Sequence, residues 1–367
     1  MSVNATTVSA GEALRVLEAG WAAQQAGGMT ASWMLHGRPG VGKTELVQTL
    51  AERIGAQLYD LRLTTIEPQD LRGLPYYDHA TAKTVWYRPE DLPDSEATAI
   101  LFLDELTAAA PSLQPTVYGL LQERRVGRHK LPASVMIVAA GNQVEDGAIA
   151  YDMGTALSDR LIHMIVRASA EDWLANYAIP AGIHPSVSAF IRTRPDLLET
   201  TEDSIRRGQM IACTPRSWTR VSRIMDCIAD RATRQVMIAG TVGSAPAAEF
   251  ALVADEIAAT VQIDEMLATA RDERAALYPT TLHGLTALVF GLVGISTRET
   301  LSAAIEILAD LRTHSRLAAG GLPTSELASF GFELLIGRAL AQGWQEVFAT
   351  SRAYADYAAD RRAMGLP

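Results

Sequence analysis

Eight consecutive residues, Gly37-Arg38-Pro39-Gly40-Val41-Gly42-Lys43-Thr44, match the pattern G-x-x-x-x-G-K-[ST] in full. A short apolar run, Ala31 to Leu35, precedes them, and a stretch with helical spacing, Lys43 to Ile54, follows. Strand, glycine-rich turn and helix in that order form the context that phosphate binding requires. Glycines let backbone N–H groups turn inward around phosphate oxygens, and the helix N-terminus adds its positive end. Lys43 would reach the β- and γ-phosphates, and the Thr44 hydroxyl would ligate Mg²⁺. Gly37, Arg38, Pro39, Gly40, Val41, Gly42 and Glu45 complete the candidate nucleotide-binding surface.

The rest of the first half reads as alternating strands and helices. Residues 9–26 carry Ala13, Leu14, Leu17 and Trp21 on one helical side, and Gly27 and Gly28 end that helix. Leu58 to Leu63 reads as a strand. Ala99 to Leu103 is a continuous apolar run, as expected of a central parallel strand covered on both faces. Pro111 to Glu123 reads as a helix with proline in its first turn. Val135 to Ala140 and Leu161 to Val166 complete the strands. The alternation predicts an α/β fold around a parallel sheet. Beyond residue 168 the strand signals stop, and helical stretches run to Leu366 between breaks such as Pro180, Pro195, Gly208, Pro215, Pro279 and Gly320-Gly321. The expected division is an α/β domain over 1–168, a helical lid over 169–252 and a helical C-terminal region over 253–367.

Four further segments carry chemistry. In Ile100-Leu101-Phe102-Leu103-Asp104-Glu105, a carboxylate leaving an apolar strand, Asp104, would hold the Mg²⁺ shell, and Glu105 would orient and deprotonate an attacking water. Val138-Ala139-Ala140-Gly141-Asn142 places a polar side chain at a strand end, where Asn142 would bond the γ-phosphate or the water; alone, Gly-Asn is a turn signal. Arg160, in Leu157-Ser158-Asp159-Arg160-Leu161, would enter a neighbouring subunit's site and stabilise charge on the transferred phosphoryl, or it makes a surface ion pair with Asp159. Arg216, in Thr214-Pro215-Arg216-Ser217-Trp218, either projects onto the phosphates of its own subunit or belongs to a helix start.

Composition narrows the function. The net charge of −10 is shared evenly between the two halves of the chain, so no basic face or tail recommends nucleic acid as a partner. No run of about 18 apolar residues suggests a membrane span, and Leu285 to Ile295 reads as a buried helix. Residues 1–10 lack the basic start and apolar core of a secretory signal, so a cytoplasmic location is expected. Two cysteines, Cys213 and Cys227, make no disulfide framework, and the seven histidines show no metal-ligand spacing. His36 simply precedes the glycine loop. Cys213 reads as packing, and Tyr354 and Tyr357 mark a helix that either docks a partner or packs.

Taken in order, these segments resemble the Walker A, Walker B, first sensor, arginine finger and second sensor motifs of AAA+ ATPases. More narrowly the chain resembles the MoxR/dynein-related branch, through Gln69-Asp70-Leu71-Arg72-Gly73, Trp86-Tyr87-Arg88-Pro89 and Arg124-Arg125-Val126-Gly127. Its Thr-Pro-Arg-Ser-Trp segment is similar to that of MoxR-like proteins encoded beside von Willebrand factor A domain proteins. The resemblance covers roughly residues 10–250. It implies a homo-hexameric ring that binds ATP and Mg²⁺ between subunits, hydrolyses ATP, and remodels a protein substrate together with a von Willebrand factor A domain partner. It also implies two insertions facing the ring centre, around Gly73 to Pro89 and Arg125 to Pro132. Tyr76, Tyr77, Arg128, His129 and Lys130 would there touch a substrate or partner, unless they only decorate exposed turns.

Three functions fit this set. The first is a Mg²⁺-dependent ATPase acting on a partner protein. The second is an assembly module in which ATP binding, not turnover, does the work. The third is a nucleic-acid-directed ATPase, which the acidic balance opposes.

Overall fold

A computed structural model describes residues 3–143, 157–314, 317 and 319–363. Contacts divide the chain into two compact units. The first gathers Met1–Ser169, Thr201–Met210 and Thr214–Arg216; the second gathers Ala170–Thr200, Ile211–Cys213 and Ser217–Pro367.

The first unit is built on a six-stranded, all-parallel sheet of order β1-β10-β2-β9-β6-β3. Its strands are β1 (Thr7–Val8), β2 (Ser32–His36), β3 (Gln57–Arg62), β6 (Ala99–Asp104), β9 (Val135–Gly141) and β10 (Leu161–Val166). The helices are α1 (Ala10–Gln25), α2 (Lys43–Ile54), α3 (Pro68–Arg72) and α4 (Gln114–Glu123). This is an α/β architecture on a parallel sheet, as the strand–helix alternation predicts, and it is the P-loop nucleoside triphosphatase fold that the resemblance implies. The predicted α2 and β10 match the observed elements at both ends, and β2 is displaced by one residue. α4 starts three residues after Pro111, because Pro111 to Leu113 form a separate turn. The edge strand β1 was invisible to periodicity, since two residues cannot display alternation.

β6 and β9 are buried throughout. Successive residues serve opposite cores: Leu101, Leu103, Ile137 and Ala139 join Leu113, Val117 and Leu120 of the α4 region on one side. Ile100, Phe102, Met136 and Val138 join Leu14, Leu17, Val47 and Leu50 of α1 and α2 on the other. Burying one such side chain contributes about 1.5–3 kcal/mol. Double coverage also fixes register, because a one-residue slip would exchange the two faces. Ser9 caps α1: its hydroxyl accepts from Glu12 N at 3.2 Å, while the Glu12 carboxylate accepts from Ser9 N at 2.8 Å.

Two antiparallel hairpins leave this sheet: β4 (Pro75–Asp78) with β5 (Lys83–Trp86), and β7 (Arg125–Val126) with β8 (His129–Lys130). They fall where the two insertions were expected. Arg88 links them, donating to Lys130 O at 3.4 Å and to Pro93 O. The half-buried Arg124 guanidinium closes the base of the second by donating to Pro132 O at 2.9 Å and Val135 O at 2.5 Å.

The described residues of the second unit contain no strand. The apolar helix Leu282–Ile295 lies at its centre, with Leu285, Leu288, Val289, Leu292 and Val293 packed among residues of Leu301–Thr313 and Thr324–Gln342. In a second cluster Phe250 meets Phe190 and Trp218 edge to face, and those two rings are tilted 46° to each other. Position 252 lies within the continuous helix Ser244–Thr260. Tyr357 is buried against Phe332, their ring centroids 4.0 Å apart, so it packs inside this unit. Leu366 lies outside the described residues. Among those residues no helix is long and apolar enough to cross a membrane.

Candidate functional site

β2 is the pivot of the site. It runs between β10 and β9, and its last residue, His36, stands in register with Gly141 of β9. The chain then enters the glycine loop, and Gly37 N donates to Gly141 O at 3.2 Å. Gly40 and Gly42 have φ of 82° and 99°, a region open to glycine and costly for residues with a Cβ. Gly42 is the N-cap of α2 and has no side chain with which to cap, so the first-turn amides of α2 stay suited to an anion. Val41 is buried, while Pro39, on the loop, and Glu45, in the first turn of α2, are partly or fully exposed.

Lys43 is buried, and its ammonium donates to Gly37 O, to Arg38 O at 3.1 Å and to Asn142 Oδ1 at 3.1 Å. Two residues ninety-nine positions apart, both predicted to face a terminal phosphate, are therefore in direct contact. Thr44 Oγ1 lies 3.4 Å from Asp104 Oδ2. A hydroxyl and a carboxylate oxygen at one point form the hard-oxygen pair that suits Mg²⁺ completed by phosphate and water. These residues fit a magnesium nucleotide.

Glu105 follows on a left-handed turn, with φ 59°, a conformation costly for a residue with a Cβ. Its N–H donates to Asp104 Oδ1 at 2.9 Å, and its carboxylate accepts from the Thr64 hydroxyl. Arg62 Nε lies 4.0 Å from Glu105 Oε1. Behind it, the buried Thr107 hydroxyl accepts from Asn142 N at 3.0 Å and fixes where that side chain starts. Thr64, Arg62 and Thr107 escaped sequence reasoning. Arg62 ends β3, Thr64 lies on the turn after it and Thr107 in the short helical turn after β6, and only the pairing of β3, β6 and β9 brings them together.

Arg216 N donates to Gly40 O at 3.3 Å, and the Thr214 side chain lies so close to Gly40 that a Cβ there would meet it at 2.9 Å. The segment carrying Arg216 thus belongs to the same compact unit as the loop, and the Arg216 side chain is exposed. Arg38 pairs with Glu202 at 2.7 Å. Arg160 is half-buried on the turn entering β10, where its N–H donates to Leu157 O at 3.1 Å.

His36 is more than the residue before the loop. Its Nε2 lies 2.8 Å from His163 Nδ1, and the rings stack with centroids 5.1 Å apart. Burial, reinforced by His163 and by the Lys43 charge, pushes the His36 pKa down from 6.5 to about 4. The unfolded chain binds this proton below about pH 6.5, while the folded chain resists it down to about pH 4. The contribution is thus complete above about pH 6.5 and is lost as pH falls toward about 4, on the order of 3 kcal/mol. Urea midpoints at pH 7.5 and 4.5 should fall further in wild type than in His36→Gln; equal falls would refute this.

On the hairpins, Tyr77, Arg128 and Lys130 are exposed, and Tyr76 stacks on Tyr87 at 4.3 Å. His129 is buried, which corrects its expected place on the contact surface: its strand turns it under the second hairpin. Cys213 is buried, with its thiol donating to Val242 O at 3.4 Å, and burial pushes its pKa up to about 11. Among the described residues no group of three or more His, Cys, Asp or Glu is placed to hold a metal ion.

Residues 32–161 match the AAA domain, dynein-related subfamily. A 104-residue stretch is 32% identical to mouse ATPase family gene 2 protein homolog B, covering 28% of this chain and 12% of that protein. The chain thus spans only a small part of the curated relative it matches. Among solved structures, a point mutant of Thermotoga maritima RuvB is similar at 14% identity and a TM-score of 0.36, with 72% of this chain and 80% of that one covered. A Cytophaga hutchinsonii protein provisionally described as an ATPase is similar at 15% identity and a TM-score of 0.34, with 89% and 90% covered.

Proposed function

We infer that the chain binds ATP: its match to the AAA domain, dynein-related subfamily, covers residues 32–161 and includes the glycine loop. We propose that it is a Mg²⁺-dependent ATPase of the MoxR type, forming a homo-oligomeric ring, a hexamer by family resemblance. The observation that carries this reading is the convergence on one loop of Lys43, Asn142, the Thr44–Asp104 pair and the Arg216 backbone.

The chemistry that Mg²⁺ would supply, when bound, is neutralisation of phosphate charge. Thr44 and Asp104 would hold the ion, the amides of the Gly37–Thr44 loop would bind the phosphates, and Lys43 would exchange its carbonyl partners for phosphate oxygens. Glu105, released from Thr64, would take the proton of the attacking water. Asn142 and Arg216 would sense the γ-phosphate. Arg160 would complete the site of the neighbouring subunit, so that ring assembly and turnover are linked.

The work done by this cycle is remodelling or activation of a protein partner, with a von Willebrand factor A domain protein as the companion that the Thr214–Trp218 segment suggests. The exposed Tyr77, Arg128 and Lys130 are the surface offered for contact, and the acidic balance disfavours nucleic acid. We place the protein in the cytoplasm, with residues 169–252 as the lid and 253–367 as a helical C-terminal region. The test is ATP binding and turnover by wild type beside Lys43→Ala, which this reading expects to lose both.

A further inference from the structure

A chain of hydrogen bonds runs under the sheet surface from the glycine loop to the turn that carries Arg160. His163 Nε2 lies 2.8 Å from Ser158 O, and His163 Nδ1 lies 2.8 Å from His36 Nε2. The register explains the meeting: β10 and β2 are parallel, with Ile165 opposite His36 and His163 opposite Met34. His163 and His36 are therefore diagonal neighbours on one face. The two rings are near-parallel, 15° apart, with centroids 5.1 Å apart.

The direction of each bond follows from chemistry. A carbonyl only accepts, so His163 Nε2 carries hydrogen toward Ser158 O. In the neutral ring His163 Nδ1 is then the acceptor, and His36 Nε2 donates to it. His36 Nδ1 is left as a buried nitrogen with no hydrogen-bond partner. Both ends of the relay adjoin parts of the site. His36 is bonded directly to Gly37, whose carbonyl accepts from Lys43, and Ser158 lies two residues before Arg160 in a turn closed by the Arg160 N to Leu157 O bond.

We propose that His36 and His163 are positioning residues that couple the glycine loop of a subunit to its own Arg160, so that occupancy of one site sets the arginine offered to the next. When phosphate draws Lys43 from Gly37 O, the peptide that follows Gly37, one residue beyond His36, is released to adjust. The pair of rings carries that adjustment to Ser158 O and so to the turn. His163 acts through Ser158 and does not touch the reacting atoms. The low His36 pKa is consistent with this, because burial keeps the His36 ring neutral. The inference rests on the proposed site shared between subunits.

Complementation with full-length chains tests it. Arg160→Ala subunits, with an intact loop but no arginine to give, are mixed with Glu105→Gln subunits, which bind ATP and supply Arg160. Steady-state ATP hydrolysis of the mixture should exceed that of either variant alone. Adding His163→Leu to the Glu105→Gln subunit should cut the restored rate about tenfold, the effect of one or two lost hydrogen bonds. Adding it to the Arg160→Ala subunit should leave the restored rate within about twofold. His163→Gln keeps one donor and one acceptor, so on the Glu105→Gln subunit it should recover most of the rate.

An equal loss whichever subunit carries His163→Leu would mean a fold defect and overturn the relay. No loss from either placement would overturn it too, while leaving the shared site standing. If the parent mixture gains nothing, the shared site itself fails and takes the relay with it.

Discussion

Arg160→Ala is expected to lower ATP turnover by about 10³-fold or more while leaving ATP binding within a fewfold of wild type. The reason is the type of charge that the reaction develops. A loose phosphoryl transition state spreads negative charge over equatorial oxygens, and a guanidinium fork placed there stabilises it more than it stabilises bound ATP. Arg160 lies on the turn entering β10, whereas Lys43 and Asn142 already make the contacts expected of residues that bind ground-state phosphate. Removing Arg160 should thus reduce kcat far more than affinity. Arg160→Lys keeps the charge but loses the planar fork, so it should restore only part of the rate. Equilibrium binding of a fluorescent ATP analogue, read beside steady-state hydrolysis, separates the two effects. Wild-type turnover per subunit should also rise with protein concentration, since a shared site requires assembly. A mutant with unchanged kcat would remove Arg160 from the chemistry.

Glu105→Gln is expected to reduce hydrolysis by about 10²–10⁴-fold with ATP binding retained. The amide matches the carboxylate in shape and can still meet the Thr64 hydroxyl, but it cannot take a proton from water. The left-handed backbone at Glu105 is unchanged by the substitution, so folding should be little affected. Single-turnover hydrolysis measures the chemical step alone, and a rate near wild type would show that another group is the base. The same variant separates two modes of action. A motor stops when turnover stops, whereas an assembly module is trapped with its partner bound and remains in its working state. Thr64 and Arg62 make a related point, since Thr64 donates to the Glu105 carboxylate and Arg62 Nε lies 4.0 Å from it.

The parts of the site that were legible in the sequence are those coded by short, contiguous patterns. The glycine loop announces itself because Gly40 and Gly42 need backbone conformations that few other residues accept, and because Lys43 opens a helix. Asp104 and Asn142 were legible because each ends an apolar run that can only be a covered strand. What stayed hidden depends on registers between strands. Thr107 meets Asn142 because β6 and β9 are neighbours, and His163 meets His36 because β10 lies beside β2. Nothing local distinguishes those residues from other polar residues near strand ends. The Arg38–Glu202 pair was hidden for a different reason: it joins segments one hundred and sixty-four positions apart. His129 shows the opposite error. The family resemblance implied a contact residue there, but in its two-residue strand His129 is buried.

The most direct measurement is ATP binding and steady-state hydrolysis in the presence of Mg²⁺ by wild type and Lys43→Ala prepared side by side. Lys43 is buried where the loop carbonyls and Asn142 converge, so truncating it removes the cation around which the phosphate cradle is organised. The expected result is binding and turnover by wild type, and neither at detectable level by a Lys43→Ala protein that is folded by circular dichroism. Equal binding and turnover by the two proteins would contradict the assignment of the glycine loop as the ATP site.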